Sequence, residues 1–200
     1  MKYLLYDCEI IKMIPQRDQP NDARFDYCDS WNHHEGMGIS VVGIVDQDGE
    51  DLAIIPDDDY RCSELHWFQT KASQDVVVGF NSRNFDDKLL QAHGINIKTD
   101  YDILEEVRIA AGYAADWRSV PKGFSYKLDA IAKANGMAKT GSGELAPMLW
   151  QQGKRQEVVD YCLMDCKITR TILELGLKGE LVDPNTNAFL KLAPLVVVPF

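Results

Sequence analysis

The chain has 200 residues, of which 46% are hydrophobic and 26% are charged, and its formal net charge is −10 at pH 7. We expect a single globular domain over residues 1–200, because a chain of this length buries a substantial core without disulfides or a structural metal. The net negative charge argues against non-specific electrostatic binding along a nucleic-acid backbone. It does not exclude a nucleic-acid enzyme, because an acidic metal site would itself contribute negative charge.

The cysteines and the two ends of the sequence indicate in which cellular compartment the protein is expected. The five cysteines form no C-x-x-C pair, which argues against a disulfide framework and against a structural zinc site. Only four apolar residues separate Lys2 from Asp7, so there is no secretory pattern, and the apolar run at residues 192–200 is too short to cross a bilayer. We therefore expect an intracellular, cytoplasmic protein that makes no use of a membrane.

The first predicted element is a strand at residues 3–10 that carries two carboxylates with one residue between them. With a period of two, Asp7 and Glu9 project from one face of the sheet, while Cys8 points to the other. Adjacent like charges are unfavourable unless they are neutralised, and a hard divalent cation is the simplest partner. The alternative is an edge strand whose acidic residues face water.

A polar segment without periodicity follows at residues 11–36. It predicts an irregular insertion or mobile loop near the end of the first strand. Two further strands are predicted at residues 38–45 and 52–55, joined by a turn at 47–50. Together with the first strand they would form an antiparallel three-stranded unit.

The rest of the chain alternates between helical and strand patterns. A helix at residues 60–72 precedes a fully apolar run at 76–80, which is typical of a buried parallel strand. A flexible link is expected at residues 140–143. Apolar spacing predicts further helices at residues 85–93, 101–113, 126–135, 144–151 and 155–177. This order of elements indicates an α/β domain with a mixed sheet.

Further carboxylates would approach the first pair. Ligands of such sheets collect at the carboxyl ends of the parallel strands, and the run at residues 76–80 ends there, just before Asn81. Asp86 starts the next helix and is placed to approach Asp7. Its neighbour Asp87 would complement the helix dipole, and from sequence either aspartate could have either role.

The last predicted helix carries Tyr161 and Asp165 four residues apart, hence on one face. A carboxylate within an apolar stripe is costly unless it is paired or bound to a metal. Taken alone, Asp165 would form a salt bridge with a residue such as Lys127 or Arg170. With three other carboxylates nearby, metal binding is favoured.

Three motifs in this order resemble those of the DEDD superfamily of 3′-5′ exonucleases, in its tyrosine-containing branch: Asp7-x-Glu9, Asn81 with Phe85-Asp86, and Tyr161-x-x-x-Asp165. Residues 101–104 and 126–132 are similar to segments between the second and third motifs of polymerase-type members. The resemblance covers residues 3–177. It implies the ribonuclease-H-like fold of the proofreading domains of family B DNA polymerases, with a mixed five-stranded sheet flanked by helices.

The resemblance also implies a reaction. The protein would hydrolyse phosphodiester bonds at the 3′ end of single-stranded DNA, release nucleoside 5′-monophosphates, and use two divalent cations, Mg²⁺ or Mn²⁺. Asp7, Glu9 and Asp165 would hold one ion, while Asp7 and, directly or through water, Asp86 would serve the second. Tyr161 would orient the attacking water, because a phenol with a free pKa near about 10 is a poor base at neutral pH.

Substrate contacts are expected from Asn81, Phe85 and Met13. In the family, side chains just after the first motif wedge against the terminal base, so Met13 or Ile14 would do this, with ordinary loop packing as the alternative. Asn81 would bind the substrate backbone or cap the turn before the helix at residues 85–93. Five other rings would stack on bases or serve packing: Trp31, His33, His34, Tyr113 and Trp117.

Two alternatives stay open. One is a 3′-5′ exoribonuclease with the same site, and the other is a non-catalytic module that binds nucleic-acid ends. The similarity to proofreading segments favours DNA over RNA. The complete set of four carboxylates argues against a module that has lost catalysis.

Overall fold

The first strand, β1 (Tyr3–Ile10), lies at the centre of a mixed five-stranded sheet in the computed structural model, which describes residues 2–138 and 143–195. The other strands are β2 (Ile39–Asp46), β3 (Asp51–Ile54), β4 (Val76–Gly79) and β5 (Tyr101–Asp102). Across the sheet the order is β3-β2-β1-β4-β5. Pairing is antiparallel from β1 to β2 and from β2 to β3, and parallel from β1 to β4 and from β4 to β5. The predicted mixed sheet and its antiparallel three-stranded unit are confirmed.

Helices cover both faces of this sheet. They are α1 (His34–Met37), α2 (Ser63–Ala72), α3 (Asp86–Ala92), α4 (Ile103–Ala110), α5 (Leu128–Ala134), α6 (Ala146–Gln151) and α7 (Arg155–Lys178), with a short 3₁₀ turn at Trp117–Ser119. A small hairpin of β6 (Leu181–Val182) and β7 (Phe189–Leu190), which sequence patterns did not predict, follows α7. Among the helices of the described ranges, none is long and apolar enough to span a membrane.

The alternation of side chains along β1 divides the core in two. Leu4 belongs to a buried cluster with Phe68 of α2 and Leu89 of α3, whereas Leu5 belongs to a cluster on the opposite face with Ile172 of α7. Strand β1 also has a neighbour on each side. The edge-strand alternative is therefore wrong, and Glu9 is only 6% exposed.

Helix α7 approaches the sheet closely at Gly43 of β2. A Cβ atom built there would lie 2.8 Å from the Sγ of Cys162 and 3.1 Å from the Sγ of Cys166. Gly43 is also the antiparallel partner of Asp7. The missing side chain therefore lets α7 pack directly beside the acidic part of β1.

One predicted boundary is wrong for an identifiable reason. The helix predicted at residues 101–113 begins only at Ile103, because Tyr101 and Asp102 form the fifth strand. The Asp102 carboxylate caps the helix by accepting a hydrogen bond from the backbone N–H of Leu104 at 3.0 Å. Elsewhere the ends agree or differ by at most three residues, and residues 140–142 of the predicted link lie outside the described ranges.

The insertion at residues 11–36 is anchored at several points and ends in a helical turn, which corrects the expectation of a wholly irregular segment. Met13 donates its backbone N–H to the carbonyl of Asp26 at 3.0 Å and accepts from the N–H of Cys28 at 2.9 Å. The side-chain amide of Gln151 in α6 exchanges hydrogen bonds with the backbone of Asp26, at 2.7 and 3.0 Å. Together these bonds attach the insertion to the helical layer.

Candidate active site

A cavity of about 630 Å³ opens where β1 and β4 end. Its volume falls in the range of about 300 to 1,000 Å³ that is usual for ligand sites. Its acidic residues come mainly from β1, α3 and α7, which are far apart in sequence, and the insertion and the starts of α5 and α6 complete its wall. The cavity lining includes every residue predicted for catalysis: Asp7, Glu9, Asp86, Tyr161 and Asp165.

Asp7 and Glu9 lie on the face of β1 that α7 covers. The Cys162 thiol of α7 is 3.5 Å from the main-chain oxygen of Asp7 and 3.6 Å from its Oδ2, in position to donate to both. Asp7, Glu9 and Cys162 each offer one potential ligand atom, and these atoms lie within 4.8 Å of one another. The sequence did not predict that Cys162 would contact Asp7, since a cysteine in an apolar helix pattern is usually a core residue.

Asp86 is buried at the start of α3, and its Oδ1 accepts a hydrogen bond from the backbone N–H of Cys8 at 3.1 Å. Burial raises the pKa of Asp86 well above its usual value, and the negative charge of Asp7 raises it further. Both effects penalise a second negative charge in a poorly solvated cavity. A bound cation would relieve that penalty.

Asp87 has a different environment from its neighbour Asp86. Its carboxylate accepts hydrogen bonds from the hydroxyl of Tyr6 and from Thr99, whose Oγ1 lies 2.8 Å away. These partners belong to β1 and to the segment before β5. The geometry thus separates the two aspartates: Asp86 lines the cavity, and Asp87 joins α3 to the sheet.

Tyr161 and Asp165 are buried on one face of α7, as predicted, and the Tyr161 hydroxyl hydrogen-bonds the Asp165 carboxylate. Burial, and after it the negative charges of Asp165 and Glu9, raise the pKa of Tyr161 far above its usual value. The phenol therefore keeps its proton at neutral pH. It can donate a hydrogen bond but cannot serve as a base.

Of the two salt-bridge partners considered for Asp165, Arg170 is engaged elsewhere. Its guanidinium lies 2.8 Å from the carbonyl oxygen of Gln47 and 2.9 Å from the carboxylate of Glu174. Lys127 lines the same cavity as Asp165. Of these two candidates, Lys127 at the start of α5 is therefore the cation that lies near Asp165.

The donor set of the cavity fits hard divalent cations. All four predicted ligands are carboxylates, and carboxylate oxygens suit Mg²⁺ and Mn²⁺. Two more carboxylates, Asp129 and Glu144, also line the cavity. Sequence reasoning missed both, because they lie near the starts of α5 and α6, where an acidic residue is ordinary.

The predicted substrate residues Asn81, Phe85 and Met13 line the cavity as well. Asn81 has a left-handed backbone with φ of 61°. The Asp102 carboxylate holds this loop, accepting from the N–H of Asn81 at 2.9 Å and from that of Arg83 at 3.2 Å. The Asn81 Oδ1 accepts a hydrogen bond from the side-chain NH₂ of Asn84 at 3.1 Å, and the Asn81 carbonyl accepts from the backbone N–H of Asn84 at 3.1 Å. Asn81 therefore closes the turn before α3, as the capping alternative expects, and a substrate contact stays a prediction.

Among the five rings considered for base stacking, Trp31 is the one within the described cavity lining. Its ring centroid lies 5.1 Å from that of Phe85. The His34 ring also contacts Phe85, at 5.9 Å. Trp117, by contrast, is 70% exposed and lies on the 3₁₀ turn.

Replacing Asp86 by Asn is expected to stabilise the metal-free protein, with a gain that grows as pH rises above about 4. Because the pKa of Asp86 is raised by folding, the stability that its neutral form contributes is complete below the unfolded pKa and is lost as pH rises through the folded pKa. Asn stays neutral throughout. Thermal unfolding in EDTA across this pH range measures the difference, with the exposed Asp58→Asn as the matched control. A pH-independent difference, or a less stable variant at neutral pH, would contradict the expectation.

Comparison with known proteins gives structural matches only. No protein-family model matches the chain, and no curated protein matches it in sequence. The fold is similar to that of the family B DNA polymerase from the hyperthermophilic archaeon Pyrobaculum calidifontis, with a TM-score of 0.58 and 14% identity. The match covers 93% of this chain and 26% of the polymerase, so the chain spans about a quarter of that protein's length. The predicted ribonuclease-H-like fold and the structural resemblance to family B polymerases are confirmed.

Two exonuclease I structures match more weakly. The metal-free form of the E. coli exonuclease I complex with single-stranded DNA has a TM-score of 0.49 and 13% identity, over 92% of this chain and 40% of that one. Another exonuclease I structure has a TM-score of 0.45 and 14% identity, over 90% of this chain and 45% of that one.

Proposed function

We propose that the protein is a metal-dependent 3′-5′ exonuclease that hydrolyses the terminal phosphodiester bond of single-stranded DNA and releases nucleoside 5′-monophosphates. One observation carries the proposal. Four carboxylates from three distant parts of the chain, Asp7 with Glu9, Asp86 and Asp165, line one cavity beside the Tyr161 hydroxyl. Burying so many like charges together is unfavourable unless cations bind between them.

In the proposed site, Asp7, Glu9 and Asp165 hold one divalent cation, and Asp7 and Asp86 serve a second. When bound, the two ions would lower the pKa of a water molecule and stabilise negative charge on the leaving oxygen. The backbone N–H of Cys8 orients Asp86 by its hydrogen bond, and the Cys162 thiol contacts Asp7. Such contacts hold ligands in place before the substrate arrives.

Tyr161 positions the attacking water in this proposal. Its raised pKa keeps the hydroxyl protonated, and the Asp165 carboxylate fixes the direction of that hydroxyl. A fixed donor contributes by orientation, because reacting groups held in line avoid the entropy of finding one another.

A single-stranded end is the substrate that suits this cavity. The terminal phosphodiester has to reach carboxylates that are mostly buried. Met13, Asn81 and Phe85 line the same cavity, and in this proposal they contact the last bases of the strand. A paired end would first have to be unstacked and unpaired, which costs a few kcal/mol. Fold likeness to a DNA polymerase supports DNA as the substrate over RNA.

The test is digestion of labelled oligonucleotides with Mg²⁺, with Mn²⁺ or with EDTA. A 3′-labelled single-stranded DNA is expected to lose its label at once as a mononucleotide, whereas a 5′-labelled copy shortens progressively. EDTA abolishes both, and matched duplex DNA and RNA are cut more slowly. Equal or faster cutting of RNA would favour the exoribonuclease alternative. Binding of 3′ ends without metal-dependent cutting would favour the end-binding module.

A further inference from the structure

Trp31 stands out within the insertion as a large aromatic residue that is exposed to solvent. It lines the cavity and packs on Phe85, with ring centroids 5.1 Å apart and ring planes inclined at 37°. The residue as a whole is 54% exposed. An indole has a large apolar surface that usually gains stability by burial. One side of this ring is therefore supported, and the rest is available for contact with a ligand.

The backbone on both sides of Trp31 is held in place. Before Trp31, the buried Cys28 donates its backbone N–H to the carbonyl of Met13 at 2.9 Å, and its thiol donates to the carbonyl of Ser30 at 3.4 Å. After Trp31, the N–H of His33 donates to the carbonyl of Ser30 at 3.1 Å. The indole is thus preorganised by its neighbours, and a contact made by a preorganised ring loses little conformational entropy.

Phe85 connects this ring to the acidic part of the cavity. It directly precedes Asp86, so the aromatic pair and the carboxylate come from adjacent residues of the same loop and helix start. If the terminal phosphodiester lies at the carboxylates, its base and the base of the adjacent nucleotide would extend along the cavity wall. The open surface of Trp31 belongs to that wall.

We propose that Trp31 is a nucleobase-stacking residue, which receives one of the bases near the 3′ end on its open face while Phe85 supports the opposite face. The inference rests on the proposed function and adds to it a substrate contact supplied by the insertion. Stacking is tolerant of sequence because every base has a π-face. Trp31 therefore contributes affinity for single strands and little preference among bases.

The binding test uses oligo(dT) with phosphorothioate linkages at its 3′ end, which resist hydrolysis in the presence of Mg²⁺. Binding is expected to quench the tryptophan fluorescence of the wild-type protein. Trp31→Leu loses most of this quenching and binds about 5- to 150-fold more weakly, the range for one stacked base. Trp31→Phe restores most of the affinity. Trp117→Leu, which alters an exposed ring on the 3₁₀ turn, behaves as the wild type.

The kinetic test separates stacking from a general structural defect. Trp31→Leu is expected to raise KM on single-stranded DNA with kcat close to the wild-type value. Abasic sites placed one at a time near the 3′ end map the stacked base. The abasic position that weakens wild-type binding has little further effect in Trp31→Leu, because the partner ring is already missing.

The outcomes for Trp31 and for the proposed function can be told apart. If the wild-type protein hydrolyses single strands and Trp31→Leu binds and is quenched like the wild type, the stacking inference is overturned and the exonuclease proposal stands. If the wild-type protein binds without hydrolysis, the exonuclease proposal fails, and the quenching and abasic data still decide on Trp31. Absence of any binding by the wild-type protein overturns the stacking inference as well.

Discussion

Asp7→Ala is expected to abolish hydrolysis, with a loss in kcat of at least about 10³-fold, because losing one preorganised electrostatic group typically costs about 10² to 10³. Asp7 serves both proposed cations, so its loss weakens the two positions together. The fold is expected to persist, since Asp7 lies on a strand that is otherwise paired on both sides. Release of mononucleotide from a 3′-labelled strand measures the loss.

Thermal unfolding provides the second readout for Asp7→Ala. Mn²⁺ is expected to raise the melting temperature of the wild-type protein, because a ligand that binds the folded state stabilises it by mass action. The variant loses this shift, and in EDTA it melts at or above the wild-type temperature because repulsion with Asp86 is relieved. Asp58→Ala, at an exposed position, is the matched control. Wild-type hydrolysis by Asp7→Ala would end the assignment of Asp7 as a ligand.

Gly43→Ala is expected to destabilise the protein by about 1 to 3 kcal/mol, the usual cost of inserting a methyl group into a packed core. The new Cβ atom would meet the Cys162 sulfur at 2.8 Å and the main-chain carbon of the same residue at 3.4 Å, so the sheet and α7 have to separate. Denaturant unfolding, or a fall in melting temperature of about 2 to 12 °C, measures the effect. Hydrolysis falls too, because α7 carries Tyr161 and Asp165.

Cys162→Ala provides the partner for a double-mutant cycle at Gly43. Removing the sulfur makes room for the new methyl group, so Gly43→Ala is expected to cost less stability in the Cys162→Ala background than in the wild type. The single Cys162→Ala variant is the control for loss of the thiol itself. Equal costs of Gly43→Ala in the two backgrounds would show that the steric contact with Cys162 is not the cause.

The strands around the site could be predicted because their patterns are local. Alternation along residues 3–10 placed Asp7 and Glu9 on one face, and the apolar run that became β4 was recognisable as a buried parallel strand. The four-residue spacing of Tyr161 and Asp165 likewise fixed their common face on α7. In each case one element carries all the information that the prediction needs.

The choice between Asp86 and Asp87 could not be made in that way. Their side chains point in different directions from the start of α3, and the docking of the helix decides which one enters the cavity. That docking depends on the Tyr6 hydroxyl, 81 residues away in sequence, and on Thr99, 12 residues away. The short strand β5 was missed for a related reason, since two residues are too few to show a period.

The insertion at residues 11–36 was the least predictable part of the fold, and the side-chain amide of Gln151 connects it to α6. Gln151 grips the Asp26 backbone through both its carbonyl oxygen and its NH₂ group, and the same NH₂ group reaches the carbonyl of Ile11 at 3.0 Å. These hydrogen bonds hold the insertion against α6, although the two segments are more than a hundred positions apart in the chain. The last residue of α6 thus fixes the position of an insertion most of whose own residues lie outside helices and strands.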